Sequence, residues 1–266
     1  MPGLEVKNIC KIYEVGFIKK RSIKAVDDVS FKVGPSEIVS LVGESGSGKT
    51  TVAKILLKLL KLTTGEVLFD GVNIWKDIKN YKDLRDYRRK VHAVFQDPFA
   101  SYNPFYPIDR VLKQGIELIS SVSSNSDTRL LMEEAISNVG LEPKTILGKY
   151  PHQLSGGEKQ RIMIARCWML NPQLIIADEP VSMIDASTRG GIIKLFEKLR
   201  DEQKTSILFI THDMGLAYYI SDRILIMHNG NVVEEGIPED VISNPVHNYT
   251  RRLVNSIPTL YKKWEI

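Results

Sequence analysis

Apolar and polar positions follow two different periods along this chain, and the changes of period mark out its elements. Ile38-Val39-Ser40-Leu41-Val42 is a short, mostly apolar run that stops at Gly43, as a buried strand does. After a glycine-rich turn, Val52, Ile55, Leu56, Leu59 and Leu60 recur at three-to-four spacing, which predicts a helix over 51–61. Thr63-Thr64-Gly65 breaks that pattern, and Glu66-Val67-Leu68-Phe69 reads as a strand closed by the turn dipeptide Asp70-Gly71. The first third thus predicts strands joined by tight turns.

The character changes over 97–172. Pro98, Pro104 and Pro107 punctuate a loop, and helical patterning follows over 129–139 and 160–170. The serine-rich stretch 120–127 is expected to be a surface loop. Two further buried-strand runs, 174–177 and 206–210, are separated by a helical pattern over 188–202. Strands alternating with helices imply a mostly parallel sheet with crossover helices, into which the segment 97–172 is inserted as a helical lobe.

Composition is compatible with an ordinary core: 43% of the 266 residues are hydrophobic and 26% charged. The net charge of +4 is mild, and the basic clusters Lys19-Lys20-Arg21 and Arg88-Arg89-Lys90 are short, so they are expected on solvated faces. No nucleic-acid partner is expected. Cys10 and Cys167 stand isolated among apolar neighbours without metal-ligand spacing, and both are expected to be buried thiols. The opening Met1-Pro2-Gly3-Leu4-Glu5-Val6-Lys7 lacks the pattern of a secretion signal. No apolar stretch reaches the roughly 18 residues that span a bilayer, so at a membrane another chain would do the crossing.

Three motifs carry chemistry. Gly43-Glu44-Ser45-Gly46-Ser47-Gly48-Lys49-Thr50 fits the phosphate-binding loop, and Thr51 continues it into the helix. Glycines let the backbone wrap closely, so that successive N–H groups point at phosphate oxygens, and the following helix adds the positive end of its dipole. Lys49 is expected to reach the β- and γ-phosphates, and the Thr50 hydroxyl to ligate magnesium.

The second motif is the apolar run Leu174-Ile175-Ile176-Ala177 ending in Asp178-Glu179-Pro180. Taken alone, an Asp-Glu pair before a proline caps a turn. Beside a phosphate loop, Asp178 is assigned to the metal and Glu179 to the attacking water. The third is Leu154-Ser155-Gly156-Gly157-Glu158, which opens a helix. Ser155 with Glu158 forms a capping box, and the same helix N-terminus offers the Ser155 hydroxyl and the Gly157 N–H to an anion.

In this combination the sequence resembles the ATP-binding-cassette (ABC) ATPases, whose signature Leu154-Ser155-Gly156-Gly157-Glu158 matches. The likeness runs in family order from Tyr13 to His212. It implies a P-loop NTPase core over 1–96 and 173–240 with an N-terminal antiparallel β part, the helical lobe over 97–172, and a C-terminal extension over 241–266. It implies that Tyr13 stacks on adenine, where an ordinary strand tyrosine is the alternative. Gln96 would contact magnesium and sense the γ-phosphate, and His212 would hydrogen-bond that phosphate while Asp213 caps the next helix. Asp185, in Ser182-Met183-Ile184-Asp185, matches a family loop in which Met183 and Ile184 are departures.

The resemblance also implies that Ser155, Gly156 and Gly157 cover ATP bound by a second cassette, with ATP and Mg2+ at the shared site. Residues 96–104 are similar to the peptide and nickel importer branch, with Tyr102 in place of a leucine. The C-terminal Asn244-Pro245-Val246-His247-Asn248-Tyr249-Thr250-Arg251 is similar to that branch too, with Asn248 in place of a proline. Absence of the C-terminal cysteine cluster suits the cluster-free partner of a pair. The expected role is ATP hydrolysis at the cytoplasmic face of the membrane. Permease subunits would be direct partners, a solute-binding protein an indirect one, and the cargo oligopeptides, dipeptides or oligosaccharides. A soluble cassette protein is the alternative, but the second cassette, coiled coil or zinc insertion typical of that class is not visible.

Overall fold

The computed structural model describes residues 3–15, 21–97, 102–118 and 125–256. Among these, the strands form two sheets. β1 (Leu4–Val15) pairs antiparallel with β2 (Arg21–Val33), and β4 (Thr64–Phe69) with β5 (Val72–Asn73), in the order β2-β1-β4-β5. The expected turn closes β4: Asp70 (φ 54°) and Gly71 (φ 78°) both take left-handed backbone, as a two-residue hairpin loop requires.

The second sheet has the order β10-β9-β3-β8-β7-β6. It contains β3 (Ile38–Val42), β6 (Val91–Val94), β7 (Leu174–Asp178), β8 (Ser206–Thr211), β9 (Arg223–His228) and β10 (Asn231–Gly236). All pairings are parallel except that of β10 with β9. Every residue of β3, β7 and β8 is buried, so these strands read as continuous apolar runs rather than alternations. Alternate residues serve opposite layers. Ile175, Ala177, Ile207 and Phe209 pack under the helical side, and Leu174, Ile176, Leu208 and Ile210 join the core shared with the first sheet.

The helices are α1 (Lys49–Leu56), α2 (Tyr81–Lys90), α3 (Asp109–Ile116), α4 (Asn125–Asn138), α5 (Pro143–Ile146), α6 (Gly156–Leu170), α7 (Ala186–Gln203), α8 (Met214–Ile220), α9 (Pro238–Ser243) and α10 (Asn248–Asn255). α3, α4 and α6 pack on one another, and α6 also lies against α7.

Several expectations need correction. The helix expected over 51–61 ends at Leu56, because Lys58 turns left-handed (φ 55°) and the Leu59 and Leu60 amides both close on the Lys54 carbonyl, at 2.9 and 3.1 Å. The Lys58 ammonium is held by the Ile74 and Ile78 carbonyls, which fixes that reversal. Residues 125–127 of the expected serine-rich loop form the first turn of α4, and 120–124 lie outside the described residues. Cys167 is buried as expected, but Cys10 is only half-buried, its sulfur accepting from the Asp28 amide at 3.3 Å. Arg88 and Arg89 are exposed as expected, whereas Lys19 and Lys20 fall outside the described residues. So do Pro98 to Ser101 of the importer-like stretch and 257–266 of the C-terminal extension. Among the described residues, no helix is long and apolar enough to cross a membrane.

Candidate nucleotide site

The spatial order β3-β8-β7-β6 brings four chain segments to one edge of the parallel sheet, at the strands' carboxyl ends. The loop from Gly43 follows β3, His212 follows β8, Asp178 and Glu179 end β7, and Gln96 lies just beyond β6. In open α/β sheets this edge is where ligands bind.

The loop itself is tightly constrained. A Cβ on Gly43 would lie 2.1 Å from the Met227 carbonyl oxygen, and one on Gly48 (φ 109°) would lie 2.3 Å from that of Ala25. Glycine is therefore dictated at both positions by close approach of other backbone. Lys49 folds back over the loop, its Nζ donating to the carbonyls of Gly43 (2.7 Å) and Glu44 (2.8 Å). Burial pulls its ammonium below the usual lysine range, opposed by the nearby carboxylates of Glu179, Asp178 and Glu44. Thr50 Oγ1 donates to Asp178 Oδ1 at 3.4 Å. Burial pushes the Asp178 carboxyl above its ordinary value; the Thr50 hydroxyl and Lys49 act against that, and Glu179 adds to it.

Glu179 holds a left-handed backbone (φ 48°) immediately before Pro180, a conformation that costs an acyclic side chain on the order of 1–3 kcal/mol. The fold enforces it through the Glu179 amide on the Ile210 carbonyl (2.9 Å) and through Ser182, whose amide and hydroxyl both donate to the Glu179 carbonyl (3.2 and 3.1 Å). The carboxylate thereby meets His212 Nδ1 at 3.1 Å. Asp213 caps α8 by accepting from the Leu216 amide at 3.1 Å, so capping and an exposed His212 coexist.

Together these residues border a cleft of about 560 Å³, lined by Glu44, Ser45, Gly46, Gly48, Lys49, Thr50, Thr51, Gln96, Glu179 and His212. Ala25 and Leu253 line it too, and sequence reasoning missed both, since their approach depends on pairings distant in the chain. Gln96 also borders, with Asp178, a second groove of about 580 Å³ walled by Leu57, Tyr87, Phe95, Leu118 and Met163. Tyr13 does not line the cleft. It pairs with Ile23, two residues along β2 from Ala25, and Lys11 Nζ lies 5.2 Å from its ring centroid.

Ser155, Gly156 and Gly157 do not line the cleft either. Ser155 is exposed and caps α6 in the expected reciprocal box: the Glu158 amide donates to Ser155 Oγ (3.2 Å), and the Ser155 amide donates to Glu158 Oε2 (2.7 Å). Asp185 is the exposed N-cap residue of α7, without a side-chain cap bond.

Fold and cleft together define an ATPase cassette of the P-loop NTPase class. The sequence model of the family described as "ABC transporter" matches residues 26–182. The oligopeptide transport ATP-binding protein OppF of Streptococcus mutans is 41% identical over 255 residues, 96% of this chain and 81% of that protein. AppF of Bacillus subtilis, also an oligopeptide transport ATP-binding protein, is 38% identical over 267 residues, covering 99% and 80%. Among solved structures, the dimeric post-hydrolysis state of the ATP-binding cassette MJ0796, bound to ADP and Pi, has a TM-score of 0.78 at 31% identity, covering 88% of this chain and 98% of that one. The chain belongs to the ABC transporter family, in its branch of importer ATP-binding subunits, and it is an ATPase.

Proposed function

We propose that the chain is the ATP-hydrolysing subunit of a peptide importer and works as half of a cassette pair. The observation that carries this reading is a separation. Lys49, Thr50, Gln96, Asp178, Glu179 and His212 converge on one edge of the sheet, while the exposed Ser155 and the half-buried Gly156 and Gly157 at the start of α6 do not line that cleft. A site split in this way is complete only when the helix start of a second cassette covers the cleft.

ATP's phosphates lie against the amides of 43–51, with Lys49 leaving the Gly43 and Glu44 carbonyls to bind them. Tyr13 carries the adenine from the neighbouring strand. The donor set around the inner end of the cleft is all oxygen: the Thr50 hydroxyl, the Asp178 carboxylate and the Gln96 amide. That suits a hard divalent cation such as Mg2+, which takes few protein ligands and completes its shell with phosphate and water. Held there by Thr50, Asp178 and Gln96, such a cation would neutralise charge on the β- and γ-phosphates. Glu179 orients the attacking water and accepts its proton, and His212 hydrogen-bonds the γ-phosphate. Ser155, Gly156, Gly157 and Asp185 complete the site of the opposite cassette.

The assigned core over 1–96 and 173–240 carries the cleft, and the lobe over 97–172 carries the helix start. The apolar groove bordered by Gln96 and Asp97, the first residues of the importer-like stretch, lies between them and suits contact with a membrane subunit. Peptides are the assigned cargo because the OppF and AppF relatives bear that name. The working place is then the cytoplasmic face of the membrane, held there through permease subunits.

The test is Glu179→Gln. It is expected to bind ATP, to lower turnover by about a hundredfold or more, and to accumulate a dimer of twice the 30.1 kDa chain mass in ATP and Mg2+, read by light scattering. Turnover equal to that of the unmodified chain would remove Glu179 from its role.

A further inference from the structure

The C-terminal element takes no part in the ATP chemistry above, yet it reaches the phosphate loop. Glu234 on β10 anchors its approach by accepting from the Val246 and His247 amides at 2.8 and 2.9 Å. His247 then caps α10, its Nδ1 accepting from the Tyr249 amide at 3.2 Å. Tyr249 is only 2% exposed, and its ring stacks on His228 with centroids 3.9 Å apart. From there its hydroxyl accepts the Glu44 N–H at 3.0 Å, across 205 positions of sequence. Leu253, one turn further along α10, lines the cleft.

Besides the Ser47 amide, which donates to the Glu44 carbonyl at 3.2 Å, two side chains hold the first residues of the loop. The Lys49 ammonium grips the Gly43 and Glu44 carbonyls, and the Tyr249 hydroxyl grips the Glu44 amide. Only one of these survives nucleotide binding. Lys49 would release its carbonyls to meet the phosphates, whereas the Tyr249 bond takes only the Glu44 N–H and leaves the other amides of the loop to them. Burial also pushes the phenol above its ordinary range, so it stays neutral, its oxygen open to the amide.

We propose that Tyr249 is a positioning residue for ATP: its hydroxyl holds the Glu44 peptide so that the loop keeps its wrap when Lys49 turns to the phosphates. This rests on the reading of 43–51 as the cradle for ATP. It makes α10 a brace whose seating sets ATP affinity. Losing the hydroxyl costs the ATP-bound loop more than the free one, because only in the bound loop is the Lys49 grip already gone.

The experiment compares the full chain with Tyr249→Phe, which keeps the ring on His228 and removes one oxygen. In titrations with a fluorescent ATP analogue, the Kd is expected to rise about threefold to tenfold, the effect of one net hydrogen bond. KM for ATP should rise with it, by more than kcat falls. A purely structural role would lower the thermal midpoint and leave Kd where it was. That result, in a folded Tyr249→Phe, overturns the proposal.

Amide exchange in the unmodified chain gives a second reading that needs no variant. Glu44 N–H should be protected, and exchange at the free-peptide rate also overturns the proposal. Lys49→Ala separates this inference from the reading beneath it. If that variant binds the analogue as well as the unmodified chain does, the cradle assignment fails, whatever Tyr249→Phe does.

Discussion

Asp178 shows how one residue can be poor for stability and good for chemistry. Its carboxylate is buried at the end of β7, and burial raises its affinity for a proton even with Lys49 and Thr50 nearby. The sign of the linkage follows. A carboxyl whose folded value lies above its unfolded value contributes stability at low pH, and that contribution is lost as pH rises through the folded value. In its ionised form Asp178 is therefore a cost to the fold, which a bound cation would relieve. Asp178→Asn removes the charge and keeps the shape, so it should raise the thermal midpoint by roughly 2 °C or more while Mg2+-dependent ATP turnover falls by about a hundredfold. Calorimetry and a phosphate-release assay on the same sample check both halves. Glu179 follows the same logic in its backbone: the Ile210 and Ser182 hydrogen bonds hold it at φ 48° beside a proline, and that strain sits where the carboxylate meets His212.

At the scale of elements, the start of α6 has two roles that one substitution can pull apart. Ser155 and Glu158 satisfy each other's backbone amides, so Ser155→Ala should cost about 1 kcal/mol of stability whatever the chain does with ATP. In the paired reading it should also weaken ATP-driven dimerisation. Ser155→Asp restores a good cap but sets a negative charge where the partner's phosphates would lie. It should therefore recover stability in urea melts without recovering the dimer.

That box was legible in the sequence because all its partners lie within four positions, and so was the phosphate loop. β3, β7 and β8 were legible for a different reason: strands covered on both faces leave an unbroken apolar run. α2 was not, since Tyr81, Leu84 and Tyr87 are its only large apolar residues and Tyr81 is exposed. Its signals were terminal ones, Asn80 accepting from the Asp83 amide at 2.8 Å and the basic residues 88–90 in the last turn. The end of α1 was missed because a left-handed Lys58, held by carbonyls from 74 and 78, leaves no trace in periodicity. Contacts such as Ala25, Leu253 and Tyr249 at the cleft depend on which strands lie side by side, which a single sequence read locally does not specify.

For the whole molecule, the absence of the α6 start from the lining of the cleft turns a statement about residues into one about assembly. If the chain pairs with itself about a two-fold axis, each of two identical sites takes its cleft from one copy and its helix start from the other. Lys49→Ala then disables the cleft of its own copy, and Ser155→Asp disables the site of its neighbour. Neither variant hydrolyses ATP alone. Mixed in equal amounts, half the pairs contain one of each, and in those pairs one site is doubly damaged while the other is intact. It draws its cleft from the Ser155→Asp copy and its helix start from the Lys49→Ala copy. Turnover should return to about one quarter of that of the unmodified chain, because half the pairs each regain one of two sites. A site built wholly within one chain gives no recovery at any mixing ratio, since every cleft then carries its own defect. The assay is phosphate release as a function of mixing ratio, and a maximum near equal proportions is the signature of a shared site.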